Sequence, residues 1–400
     1  MPNEVEQAIQ NEISQILSEI ISFRRKVHSA PELSLQEWET SRLIHETLQS
    51  FGLMGEYITP DKRGIRLIVD GNLPGDTIVL RADMDALPMQ EITQLPFCSK
   101  NAGVMHACGH DMNSAFLMGA AVVLSRMREK LRGRLVFLFQ CAEENFLGAK
   151  EAIAAGVLDG LNPRYLFAFH GNPGFKVGTI ALRCGQAMSA GVKLRIVVKG
   201  QGGHGGFPNS TTDPITIAAQ IVMGLQTLAA RKHHPSDPLV ISICSIQSGT
   251  VFNVTPADAV MEGTVRYFNE RLGEQLPVWI KRLCEGTAQA YGANCEVEYE
   301  LMCPAMITGD EIFNYADRAF KKEFGSECVF HAPQPVMGSE DFAWFSPFGQ
   351  VMQVRIGTQF DDPRSKLPLH NNGVVFSEDA IPIGIRAICA LAFENGEASQ

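Results

Sequence analysis

The chain has 400 residues, 45% of them hydrophobic and 20% charged, a composition that excludes a disordered, coiled-coil or collagen-like protein. Its 34 Lys+Arg against 44 Asp+Glu give a net charge of −10, which argues against a general nucleic-acid binder, because neutralising phosphates takes clustered positive charge. At roughly 150 residues per domain, the length suggests two or three domains.

The segment up to about Phe51 has helical periodicity: Ile9, Ile13, Ile16, Leu17, Ile20 and Ile21 form one apolar stripe, and a second helix is expected over Leu35–Leu48. Strands then alternate with helices. Asp76–Leu80 reads as a buried strand, Asn113–Leu131 as a helix, Leu135–Phe139 as a strand, Gly148–Ala155 as a short helix and Tyr165–Phe169 as a third strand ending at His170. Buried strands alternating with helices indicate a mostly parallel α/β sheet. A different unit follows: strand Val192–Val198, helix Asp213–Ala230, strands Leu239–Ile246 and Ala259–Phe268, helix Arg271–Tyr291 and strand Cys295–Met302. That βαββαβ order is the ferredoxin-like pattern. From about Ile307 the α/β pattern returns with helix Glu311–Glu323, strand Val351–Ile356 and helix Ala380–Glu394. The expectation is one α/β domain interrupted by a compact α+β insertion.

The ten cysteines are scattered, none forms a CxxC pair, and several sit in apolar runs, as buried thiols do. The N-terminal MPNEVEQAIQNEISQIL lacks the basic and apolar regions of a secretory signal, and no apolar run approaches the roughly 18 residues of a membrane span. A reducing, cytoplasmic setting is expected.

Ligand-type residues fall at the strand ends. Asp83 and Asp85 follow the first strand, Cys108 and His110 lie in MHACGHD before a helix, and Glu143 and Glu144 follow the second strand. His170 follows the third, and His370 sits in PLHNN near the C-terminus. In open α/β sheets, sites form beyond the carboxyl ends of strands, so these groups have a reason to converge. Thiolate, imidazole and carboxylate together suit zinc or a similar divalent ion. Taken singly, each has an ordinary explanation: a buried cysteine, a satisfied histidine, a solvated glutamate pair.

The motifs MHACGHD, FQCAEEN, FAFHG, GQGGHGGFPNSTTDPI, FNVTPADAVMEGTVRYF, GSEDFAWF and PLHNN, in that order, resemble the aminoacylase and carboxypeptidase-like metallopeptidases of family M20. The similarity runs from about Ile21 to the C-terminus and points to the branch of N-acyl-amino-acid amidohydrolases, hippurate hydrolases and auxin-conjugate hydrolases. The resemblance implies a zinc-exopeptidase-like catalytic domain over 1–186 and 303–400, interrupted over 187–302 by a ferredoxin-like lid and dimerisation domain. It implies two divalent ions (Zn, Mn, Co or Ni) on Cys108, His110, Glu144, His170 and His370, with Cys108 as the bridging ligand. Glu143 matches the general base and acid of amide hydrolysis, and Asp85 a carboxylate that orients the site. His204 matches an oxyanion donor, against the alternative of shaping its turn. Asn253 matches a lid contact with substrate. Arg266 would pair a substrate carboxylate or is an exposed strand arginine; Gly338 and Ser339 resemble a substrate-carboxylate loop, or Ser339 caps DFAWF. The expected partner is a small N-acyl amino acid, with neither nucleic acid nor membrane, and a homodimer through the lid, or a tetramer.

Asn113 stands where the family commonly has histidine, Asn209 where histidine commonly follows proline, and Cys141 where proline is usual; these departures are expected near the pocket and to bear on acyl-group preference. His233 and His234 read as a helix C-terminal cap, and Cys328 and His331 as unrelated surface and core groups. Two further readings compete: a metal-free hydrolase with Cys108 as nucleophile, which the spread of five ligand-type residues disfavours, and a non-catalytic binding protein, which an intact Glu143 disfavours.

Overall fold

The computed structural model describes residues 4–394. The described residues form two compact units: one takes those up to Ala187 together with Ile307–Gln334 and those from Asp341 to Glu394, the other Met188–Met306 and Pro335–Glu340.

The first unit opens with α1 (Glu4–Ser29), α2 (Trp38–Ser50), β1 (Glu56–Tyr57), β2 (Ile65–Asp70) and β3 (Leu73–Asp83). It continues through α3 (His110–Arg126), β4 (Arg132–Gln140), α4 (Gly148–Ala154), β5 (Tyr165–Lys176), β6 (Ile180–Leu182) and β7 (Gly185–Met188). The second unit contains β8 (Ala190–Lys199), β9 (Gly203–His204), α5 (Pro214–Arg231), β10 (Leu239–Gln247), β11 (Val254–Thr255), β12 (Asp258–Tyr267), α6 (Glu270–Ala290) and β13 (Asn294–Cys303). After β14 (Met306–Thr308), the first unit resumes with α7 (Asp310–Phe324), β15 (Val329–His331), β16 (Gln350–Gln359) and α8 (Ala380–Glu394).

In the first unit an eight-stranded sheet runs β1-β2-β4-β3-β5-β16-β6-β15. Its centre, β4-β3-β5-β16, is parallel, whereas β2 against β4 and β6 against β16 are antiparallel. The last six residues of both β3 and β4 are buried, as befits strands covered on both faces. Helix α3 is buried from His110 through Leu124, so it has no exposed face over that stretch: α1 and α8 pack against it as well as the sheet. In the second unit the order β10-β12-β8-β13 is antiparallel throughout, the ferredoxin-like arrangement, with α5 and α6 supplying its core (Ile217, Ile221, Leu276, Ile280). The expected fold class is thus the one observed. No described helix is long and apolar enough to cross a membrane.

Several element boundaries differ from the sequence-based expectation, among them the end of α3 at Arg126 rather than Leu131, and three of them bear on the site. Helix α2 starts at Trp38 rather than Leu35, which has φ +67. Helix α3 starts at His110 rather than Asn113, immediately after Gly109 at φ +82; a side chain there would be strained and would press on Phe376, 3.1 Å from a Cβ. Strand β5 continues past His170 to Lys176, because β16 keeps pairing with it as far as Gln359↔Lys176.

Two buried polar clusters fix the helices. Asp111, beside His110 in α3, accepts from Arg24 Nε at 2.6 Å and His28 Nδ1 at 2.9 Å, tying α1 to the start of α3. Glu37, just before α2, accepts from the Ala142 N–H at 2.7 Å, holding the end of β4. Its second oxygen is buried without a hydrogen-bond partner among the described residues. Burial, with Asp85 nearby, pushes the Glu37 carboxyl up to about 7. The unfolded chain releases this proton near pH 4.5 while the folded chain holds it to about pH 7. Stability is therefore lost as pH rises through that window, by about 3 kcal/mol in all. Glu37→Gln, which keeps the acceptor for Ala142, should lose most of this pH-dependent fall in urea unfolding between pH 5 and pH 8. Parallel profiles for the two proteins would contradict it.

Candidate metal centre

The sheet topology creates the site. From β3 the chain crosses through α3 to β4 on one side and then to β5 on the other, so the carboxyl end of β3 is a switch point. The β3–β5 ladder stops at Arg81↔Ala168, two residues short of His170. His170 is therefore inside a strand, not after it as expected, but beyond the reach of β3. Asp83 ends β3, Asp85 follows it, and His110 opens α3. Glu143 and Glu144 sit in a tight turn after β4, with Ala142 at φ +55, Phe146 at φ +61 and Phe146 N–H donating to Glu143 O at 2.8 Å. His370, at φ +64, is brought in by its own N–H, which donates to Ala107 O at 3.0 Å beside Cys108.

Cys108 Sγ lies 3.5 Å from His170 Nε2 and 3.3 Å from His370 Nε2. His370 Nε2 is 3.4 Å from Glu144 Oε1, and His110 Nε2 is 3.8 Å from the same oxygen. Three triads, Cys108/His110/His170, Cys108/Glu144/His370 and His110/Glu143/Glu144, each bring one donor atom per residue within 4.8 Å of one another. The ring of His110 is held from behind: its Nδ1 faces Asp85 Oδ1 at 3.1 Å, and Asp85 Oδ2 accepts from Ser34 Oγ at 2.6 Å and the Glu144 N–H at 3.0 Å. His170 is held likewise, its Nδ1 donating to Gly171 O at 2.8 Å. Both imidazoles thus present Nε2 to the centre, the arrangement in which histidines ligate metals.

Electrostatics point the same way. Burial alone would lower the pKa of His110, but Asp83, Asp85 and Glu144 outweigh it and raise it to about 10. Burial, then Glu144, Glu143 and Asp83, push the Cys108 thiol well above its ordinary value. A cluster this rich in carboxylates calls for added positive charge. His110 Nε2 and Glu144 Oε1 are buried without a hydrogen-bond partner among the described residues, which a divalent cation between them would satisfy. A thiol, three imidazoles and a carboxylate fit zinc and its first-row neighbours.

His204, Asn253, Arg266, Gly338 and Ser339 belong to the second unit. β9 and β11 pair His204 with Val254, and Asn253 O accepts the Gly205 N–H at 2.9 Å. The Gly206 N–H donates to His204 Nδ1 at 2.9 Å, so the neutral ring carries its proton on the exposed side, at Nε2. Arg266, half-buried in β12, has no carboxylate partner among the described residues; it turns to Thr264 Oγ1 and, at 3.3 Å, to Val265 O. The Gly338 carbonyl accepts the Ser189 N–H at 2.9 Å, and Ser339 Oγ lies 3.5 Å from Ser189 Oγ.

Several smaller readings are corrected. The helix that holds DFAWF is a 3-10 helix, Asp341–Phe348. His233 and His234 bind the loop that follows them, at Asp237 O (2.8 Å) and Ser236 Oγ (2.7 Å), rather than capping the last carbonyls of α5. Asn113 and Cys141 are buried supports, and Asn209 is exposed in a 3-10 turn. The sequence reading passed over Ser34 and Arg81. Arg81 is fully buried and binds Asp83 Oδ2 at 2.6 Å, Gln140 Oε1 at 3.0 Å and Asp341 Oδ1 at 2.9 Å. An arginine in an otherwise apolar strand was its signal; Ser34, 51 residues from Asp85, had none.

Residues 79–394 match peptidase family M20/M25/M40. The chain is 37% identical over 392 residues to thermostable carboxypeptidase 2 of Saccharolobus solfataricus, covering 97% of this chain and 98% of that one. It is 37% identical over 373 residues to N-acetylcysteine deacetylase of Bacillus subtilis, covering 93% and 96%. Among solved structures it is similar to the Bacillus subtilis YXEP protein, a dinuclear metal-binding peptidase of the M20 family, with a TM-score of 0.81, 34% identity and coverage of 95% and 98%. These relatives are hydrolases, and this chain belongs to peptidase family M20/M25/M40.

Proposed function

We propose that the protein is a metal-dependent amidohydrolase that cleaves N-acyl amino acids to a carboxylic acid and a free amino acid. The observation that carries this reading is the pair of donor triads sharing Cys108, with Glu143 alongside. Two divalent cations (Zn, Mn, Co or Ni), held by Cys108, His110, Glu144, His170 and His370, would supply Lewis acidity and lower the pKa of a water. Glu143 takes the proton from the attacking water as its oxygen bonds to the acyl carbon. It returns that proton to the amine nitrogen as the C–N bond breaks. Glu144 is the ligand of the pair, and Asp85 holds His110 with Nε2 forward. His204, with its proton on Nε2, donates to the carbonyl oxygen as charge develops there. Arg266, which has no acidic partner among the described residues, would receive the substrate carboxylate, and Asn253, Gly338 and Ser339 would be further contacts for the substrate.

The names of the relatives divide between N-acetyl amino acids and peptides. N-acyl amino acids are the substrate class proposed here, and the chemistry is the same amide cleavage in either case. A metal-free thiol hydrolase is disfavoured because burial and three carboxylates oppose a thiolate at Cys108. A homodimer through the second unit, or a tetramer built on it, is supported by β10: LVISICSIQ is an edge strand with no charge and no proline to guard it. A cytoplasmic setting suits a chain that needs a free thiol at position 108.

The test is a panel of N-acetyl, N-benzoyl and indole-acyl amino acids and dipeptides, assayed with each metal before and after chelation. Activity should vanish with chelator and return with metal; activity that survives chelation would overturn the proposal. Glu143→Gln should keep its metal and lose activity by about 10²–10⁴-fold, whereas near-normal turnover would remove Glu143 from the chemistry. His204→Ala should lower kcat by about 10²-fold or more at unchanged metal content. An unchanged rate would leave His204 a turn residue.

A further inference from the structure

We propose that Asn113 is a positioning residue that sets His170 for metal binding by clamping β5, just past its last pairing with β3, to the end of β3. This inference rests on the metal-centre reading and adds to it a residue whose side chain touches none of the donor atoms.

Asn113 lies in the first turn of α3 and is fully buried. Its Nδ2 donates to Asp83 Oδ1 at 2.6 Å, and its Oδ1 accepts the Gly171 N–H at 2.8 Å. The amide orientation is forced: Asp83 offers only acceptors on this side and Gly171 N only a donor. The β3–β5 ladder has already ended at Arg81↔Ala168, so the Asn113 amide supplies the link between the two strands that the backbone no longer makes. Gly171 is also the residue that fixes His170: its carbonyl accepts His170 Nδ1–H at 2.8 Å, which directs Nε2 towards Cys108. Asn113 therefore holds the N–H of the same residue whose carbonyl holds the ligand.

The far end of the clamp is equally rigid. Asp83 Oδ2 is held by Arg81 at 2.6 Å, and Asp83 Oδ1 also lies 3.7 Å from His110 Nε2. One amide thus joins the support of His170 to Asp83, the carboxylate that faces the metal-side Nε2 of His110; both histidines are in the Cys108/His110/His170 triad. The position needs one donor and one acceptor about 2.3 Å apart, with no charge. Asparagine supplies them, and so does neutral histidine, with an N–H for Asp83 and a lone pair for the Gly171 N–H. Leucine has the same branching as asparagine and supplies neither.

The experiment dialyses metal-loaded protein against graded EDTA and measures the metal retained per chain, beside activity and near-ultraviolet circular dichroism. Wild type should hold two ions. Asn113→Leu should lose one of them at about 10–100-fold lower chelator concentration while keeping the other, and Asn113→His should restore the wild-type curve. If Asn113→Leu does not fold, Asn113→Ala is read in the same way. A wild-type curve for the leucine or alanine variant would overturn the inference. So would equal loss of both ions, which would mark Asn113 as a packing residue, or failure of histidine to rescue. Wild-type protein that retains no ion would overturn the metal-centre reading itself, and this inference with it.

Discussion

The electrostatics of one buried crevice govern the first unit. Asp83, Asp85, Glu143 and Glu144 converge where β3 and β4 end beside β5, around a buried thiol and a buried imidazole. Charges in such a place are tolerated only when paired and hydrogen-bonded. Arg81 answers part of the demand through Asp83, and His110 answers part through Asp85. Glu144 faces His110 at 3.8 Å and His370 at 3.4 Å, yet its Oε1 has no hydrogen-bond partner among the described residues. Buried acidic groups gathered this closely are what a bound divalent cation would offset.

From this follow the surrounding devices, each of which fixes one donor atom. Asp85 and Ser34 set the ring of His110. The Gly171 carbonyl sets the ring of His170, and the positive-φ backbone at His370 and Ala142 brings in distant loops. The clamp between α1 and Asp111 fixes the helix on which His110 sits. Rigid support of this kind holds donor geometry to the tolerance that metal chemistry requires.

Most of the architecture was legible because it is periodic. DTIVL, LVFLF and YLFAF read as buried strands, and the βαββαβ order of the middle segment could be read directly. The grouping of Cys108, His110, Glu143, Glu144, His170 and His370 was legible as ligand-type residues at strand ends, and the family motifs sharpened it. What escaped was set by tertiary pairing. The true end of β5 depends on β16, nearly two hundred residues away in sequence, so His170 read as lying beyond its strand. Asn113 read as a departure from a pattern near the pocket, because nothing local says that its amide bridges Asp83 and Gly171. Glu37 and Ser34 carry no sequence signal at all, since their partners, Ala142 and Asp85, meet them only in the fold.

The central claim is that Cys108 joins two metal positions in this crevice. The most direct measurement is the metal content per chain of purified wild type and Cys108→Ala, with folding checked by circular dichroism. Wild type is predicted to hold two divalent ions and the variant distinctly fewer. Equal stoichiometry in a folded variant would contradict the account.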